Sequence, residues 1–323
     1  MKFKHAFHVF VDNFPVIYKQ LLYRLVVLLI AGVICAIGVY PFIRELIDSA
    51  QFNSLLDGVK GFVTKLLDGD VLELQSLSER VKTAYADLLE LLSTKSTQAV
   101  LSGLLLLLII IISKWFAGLG NFATASVIND KMALRAKQPF LGTLIKNLKS
   151  AAAYNAIYVP LSTLYDLIVF VAMFCLFFVL LNSVLYFFIC LFFFVLAVTF
   201  AITVKMTLTS DWLPAIIRGK MGQGAAIKYA FSRKNKDTFN VMSNFSVIVI
   251  LVFALNMAAL ILTLGVGLLL SVPSSYAIII CFELVNYYDR EEIKYSVDKN
   301  TIIAPARERT LSREEFFRGD DKD

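Results

Sequence analysis

The sequence predicts an all-α protein, a polytopic six-helix transmembrane bundle with an extracytoplasmic helical hairpin. Three observations carry that prediction. The 323 residues are 58% hydrophobic and only 17% charged, far more apolar than a soluble domain. Six runs of about 20 apolar residues are each long enough to cross a bilayer core as a helix. Between the first two runs, residues 44–98 instead show amphipathic 3.6-residue periodicity.

Taken in order, residues 1–20 form an interfacial helix. Phe3, Phe7, Phe10 and Phe14 fall on one face, and Lys2, Lys4 and Lys19 flank them. Aromatics suit the acyl boundary and lysines suit anionic headgroups. Pro15 breaks or bends this helix before the first span. That span, 21–43, is uncleaved: twenty residues precede it and no small-x-small site follows it.

Residues 44–98 carry one apolar stripe from Phe52 to Leu67 and a second from Leu74 to Leu92. Between them, Asp68-Gly69-Asp70 reads as a turn. Two helices should therefore form, 48–67 and 71–93, burying their stripes against each other, the bilayer surface or another subunit. A core of this size does not stand alone easily.

Residues 99–288 hold spans two to six, at roughly 99–117, 160–181, 184–204, 244–264 and 266–287. Asn182-Ser183 and Gly265/Gly267 mark the two tight turns. Closed backbone hydrogen bonding makes helices the only sensible form in lipid. Loops 127–153 and 205–243 are basic: the first has Lys131, Arg135, Lys137, Lys146 and Lys149 against Asp130 alone. Segments LGTLIKNLKSAAAYN and GQGAAIKYAFSRKNK share a small-residue start and an Ile-Lys pair, a faint internal repeat. The tail, 289–323, is soluble; Ser312 and Glu315 have capping-box spacing ahead of Phe316 and Phe317.

Charge sets the expected orientation. Residues 44–98 have six Lys/Arg against nine Asp/Glu, a net of −3, within a chain of net +6. Basic loops stay in the cytoplasm, so both termini are expected inside and 44–98 outside. The basic loops should contact anionic headgroups. Nothing in the charge pattern fits a nucleic-acid surface.

Chemistry-bearing patterns are sparse. The four cysteines lie in apolar runs without CxxC spacing, and His5 and His8 lack a third ligand nearby. No cofactor is expected, and no catalytic site or enzyme activity is read from the motifs. Two sets of residues stand out. Lys114, Asp166, Lys205 and Glu283 are charges at or inside span ends, all towards the cytoplasmic side. Such groups mark sites when they face a path or a partner. Glu283 is expected either to face a cation, Asp166 or a tyrosine hydroxyl inside the bundle, or, being close to the end of its span, to reach the headgroups. The basic, glycine-rich RGKMGQG places Arg218, Lys220, Gly222 and Gly224 as an anion contact. It lacks P-loop order and reads more readily as a turn that lets a helix lie flat under the membrane.

The region from TSDWLPAII through NYYDREEIKY to SREEFFRGD resembles, as a pattern, uncharacterised six-span membrane proteins of Gram-positive, clostridial-type bacteria. The layout is also similar to the membrane part appended to some glycerophosphodiester phosphodiesterases. The first resemblance implies a bacterial plasma membrane. The second is architectural, and carries no hydrolase site with it. Three functional readings follow. One is a scaffold or accessory subunit that binds protein partners through 44–98, the basic loops or the tail. Another is a transporter or permease component with a polar path near the cytoplasmic side. The third is a membrane enzyme acting on lipids, which requires a nucleophile, acid/base pair or metal set whose spacing is missing.

Overall fold

The computed structural model describes residues 2–68, 71–135, 138–181, 187–232, 234–298 and 301–304. The turn at Gly69, the turn at Asn182 and Ser183, and the capping box at Ser312 and Glu315 lie outside these residues. Among the described residues the fold is all-α apart from one pair of two-residue strands.

In chain order the helices are α1 (Lys2–Asp12), α2 (Phe14–Gly38), α3 (Tyr40–Ile47), α4 (Ala50–Asp68), α5 (Val71–Thr94), α6 (Ser96–Met132) and α7 (Phe140–Lys146). Then come α8 (Leu148–Leu181), α9 (Phe187–Thr209), α10 (Trp212–Ile217), α11 (Gln223–Ser232), α12 (Lys234–Leu262) and α13 (Leu268–Arg290). Strands β1 (Tyr295–Ser296) and β2 (Ile302–Ile303) pair antiparallel. Among the described residues, six helical stretches are long and apolar enough to cross a membrane: Phe14–Gly38, Ser96–Met132, Leu148–Leu176, Phe192–Ile217, Thr238–Leu262 and Leu268–Arg290. The chain is an integral, multi-pass membrane protein.

Several helices outrun the apolar runs that define them. α6 continues through NFATASVINDKM, where small residues keep the helix going after hydrophobicity ends. α8 starts in SAAAYNAIY and carries Pro160 inside it, which span helices tolerate because neighbouring groups satisfy the freed carbonyl. Segment 127–153 therefore holds the end of α6, all of α7 and the start of α8. The repeat segments share an order too: short α7 runs into long α8, and short α11 into long α12.

The chain divides into two compact units. Unit 1 comprises Met1–Val26, Trp115–Val159 and Ile202–Asp323; unit 2 comprises Val27–Lys114 and Pro160–Ala201.

Unit 1 is built around α13. Its Ala277, Cys281, Phe282, Leu284, Val285 and Tyr288 are all buried. α1 packs along it through Ala6, Val9 and Phe10, leaving Phe3, Phe7 and Phe14 exposed. Phe245 of α12 meets Phe282 edge-on at 5.0 Å. The α12–α13 turn uses Leu264 and Gly265 at positive φ, 51° and 91°. Glycine suits the second of these. Below the turn, Ser271 donates to Asn256 Oδ1 at 2.7 Å. The strand pair closes against α1 and α13: His5 Nδ1 bonds the Tyr295 hydroxyl at 3.0 Å, and that hydroxyl donates to Asp289 at 3.0 Å.

Unit 2 holds α3, α4, α5 and the apolar lengths of α2, α6, α8 and α9. Ser49 caps α4, its hydroxyl accepting from the Phe52 N–H at 3.2 Å. α4 and α5 pack on each other, burying Phe62, Val81, Ala84 and Leu88. Gly58 allows this approach, since a Cβ there would stand 3.3 Å from Val81. Lys65 and Glu73 tie the two helices with a 2.8 Å ion pair.

Candidate functional site

The charges at span depth are placed by helix register, and most find partners. In unit 2, Lys114 of α6 donates to Asp166 Oδ2 of α8 at 2.8 Å, beside the Thr163 hydroxyl at 3.5 Å. Both side chains are roughly two-fifths exposed, so the pair fixes α6 against α8 without being deeply buried.

Glu283 belongs to unit 1, whereas Lys114 and Asp166 belong to unit 2. It is half-buried on α13, and its electrostatic neighbours are Asp211 and Tyr154. It makes no ion pair or hydrogen bond among the described residues. Lys205 is half-buried in the same unit, near the end of α9. The structure thus joins two of the four predicted charges, Lys114 and Asp166, within unit 2, and assigns Lys205 and Glu283 to unit 1.

Asp211 explains the surroundings of Glu283. It precedes α10 at the N-cap position, yet its side chain caps no N–H. Instead its Oδ2 takes Arg290 from the end of α13, in a pair only 2% and 13% exposed. The other oxygen, Oδ1, is buried without a hydrogen bond. Two acids and one cation therefore share this region. Nearby, Tyr154 packs edge-on against Trp212 at 5.5 Å, and Tyr288 donates to Asn129 Oδ1 at 2.9 Å. Lys131 binds Asp12 through both side chain and backbone, holding α1 to α6.

The anion-contact residues adopt an open arrangement. The Arg218 guanidinium lies 5.2 Å over the Tyr288 ring. Lys220 is exposed at a φ of 50°. Gly222 and Gly224 are exposed just before and inside α11, and a Cβ at either would meet nothing within 4 Å. No close approach requires glycine there.

Sequence reading missed Arg24. It sits in α2 at the near end of an apolar run, where one cation looks like a span boundary. In the fold it reaches Asn121 Oδ1 of α6 at 2.6 Å and lies 4.0 Å over the Tyr276 ring of α13. The signal was present in the sequence: Gln20 and Arg24 are one turn apart, and GLGN at 118–121 offers small residues for close helix packing. Asp211–Arg290 left no such trace, because its members are 79 positions apart.

Among the described residues no three His, Cys, Asp or Glu side chains gather to hold a metal ion. No family model, curated protein or solved structure matches the chain.

Proposed function

We propose that the chain is a non-enzymatic scaffold or accessory subunit of a bacterial plasma membrane, with both termini in the cytoplasm, that binds protein partners. The observation that carries this reading is how the charges at or near span depth are used. Lys114–Asp166, Arg290–Asp211 and Lys131–Asp12 are tied to each other across helices. Paired in this way they lock helix positions rather than line a route. The α4–α5 hairpin supplies a surface for a partner: Leu56, Val59 and Leu89 remain exposed on it. Orientation is supported by charge. Unit 1 carries 24 Lys/Arg against 15 Asp/Glu, and unit 2 carries 7 against 10; the basic loops belong to the first and the hairpin to the second.

Glu283 favours a second reading, a transporter component. It is an acid at a span end, without an ion-pair partner among the described residues, beside the already engaged Asp211. Coupling sites for protons or cations are built from such acids.

Native mass spectrometry of the tagged chain, extracted gently from its own membranes, separates the two readings. The scaffold reading expects a defined complex that is lost when Leu56, Val59 and Leu89 are changed to serine while the melting temperature holds. A lone chain that accumulates solute in proteoliposomes, and stops doing so in Glu283→Leu, would establish the transporter instead.

A further inference from the structure

Arg24 differs from two other cations of unit 1, Arg290 and Lys131. Arg290 has Asp211 and Lys131 has Asp12. Among the described residues, no carboxylate lies within ion-pair distance of Arg24. Its contacts are neutral and come from two other helices: Asn121 Oδ1 on α6 at 2.6 Å, and the Tyr276 ring on α13 at 4.0 Å. Gln20, one turn earlier on α2, donates to the same Asn121 oxygen at 2.7 Å and fixes the amide. These groups orient the guanidinium without neutralising it. A guanidinium has five N–H donors, and the Nε of Arg24 is buried with no hydrogen-bond partner.

Position narrows what can complete the cluster. Lys19 and Gln20 come just before Arg24, and the uninterrupted apolar run LVVLLIAGVICAIG follows it. Arg24 therefore stands where the apolar run of α2 begins, and its long stem lets the guanidinium reach towards the headgroups. The cluster is reachable there: Arg24 and Tyr23 are half-buried and Tyr276 is 46% exposed. A planar guanidinium fork pairs with the tetrahedral oxygens of phosphate through two parallel hydrogen bonds.

We propose that Arg24, Asn121 and Tyr276 form a binding site for a phosphate group. Arg24 supplies the charge and the donors, Asn121 sets the fork, and the Tyr276 ring holds the guanidinium plane. The phosphate belongs either to an anionic lipid headgroup or to a free phosphate compound. The site is independent of the scaffold reading and stands or falls separately from it.

The test uses the full chain in nanodiscs of phosphatidylcholine, with or without added phosphatidylglycerol. Native mass spectrometry counts retained lipid, and thermal melting in phosphatidylcholine discs reads inorganic phosphate. A phosphatidylglycerol retained by the wild type and bound roughly tenfold more weakly by Arg24→Gln supports the site with a lipid source. A phosphate-dependent rise in melting temperature that Arg24→Gln abolishes supports it with a soluble source. If Arg24→Gln does not fold, Tyr276→Leu carries the test, because this exposed ring can be removed without opening the core; it must weaken retention. Binding of neither anion, or equal binding by the wild type and the folded variants, overturns the proposal.

Discussion

The two units of this molecule solve helix association in different ways. Unit 1 has a true core: more than half of α13 is buried, and aromatic rings, an ion pair and several amide–hydroxyl bonds converge on it. Unit 2 contains the α4–α5 pair, whose core is a few side chains of an amphipathic hairpin, together with helix lengths whose apolar faces remain open. The apolar lengths of α2 and α6 are almost entirely unburied. Hydrophobicity alone drives no association between helices in lipid, because the tails are as apolar as leucine. Specific polar ties and close backbone approach must do it. Unit 1 has many of these; in unit 2, Lys114–Asp166 and a Tyr165 hydroxyl donating to the Ala201 carbonyl at 2.7 Å join span helices.

That difference can be broken experimentally, starting where the effect is largest. Asp211→Leu or Arg290→Leu strands a buried charge, and either should destabilise the protein by about 3–5 kcal/mol. The double variant should recover most of that loss. Denaturant titration in detergent checks both, and an additive double variant would show that the pair is not coupled. Phe62→Ala should cost the α4–α5 hairpin about 3 kcal/mol. Hydrogen exchange should show the amides of α4 and α5 losing protection while those of α13 keep it. Joint loss would mean that the two units unfold together.

Smaller lesions sharpen the contrast. A Cβ at Gly118 would collide with the Asn155 side chain, so Gly118→Ala should destabilise unit 1 by about 1–3 kcal/mol through overpacking. Gly32 and Gly103 have nothing near them, and alanine there should raise rather than lower the melting temperature. Lys114→Met leaves Asp166 near a span end without its cation and should cost about 1–3 kcal/mol. Exchanging the charges, Lys114→Asp with Asp166→Lys, should restore the melting temperature; no rescue would show that the geometry is not a simple pairing.

What the sequence made legible follows the physics of each element. Spans and hairpin are local signals, set by the length of an apolar run or by a repeating stripe, and both fold features are present. The N-terminal helix was half legible. Periodicity grouped Phe3, Phe7, Phe10 and Phe14 on one face, but the face packed on α13 is Ala6, Val9 and Phe10. Small residues leave little trace in a hydropathy pattern although they allow the closest packing. The β1–β2 pair was missed because two residues on each side carry no period. Lys114 and Asp166 were each recognised as costly charges, but no spacing rule connects residues 52 positions apart. Arg24 was hidden by position, since a cation at the start of a span is ordinary until its partners are seen.

The central claim is that opposite charge on the two parts reflects threading, with the basic loops in the cytoplasm and the acidic hairpin outside. Impermeant maleimide labelling of intact cells tests it directly. The measurement uses a chain whose native cysteines Cys35, Cys175, Cys190 and Cys281 are replaced, with single cysteines at Asp57, Lys82, Lys146 or Lys220. The account predicts labelling at Asp57 and Lys82 from outside, and labelling at Lys146 and Lys220 only after permeabilisation. Labelling of Lys146 or Lys220 in intact cells would contradict it.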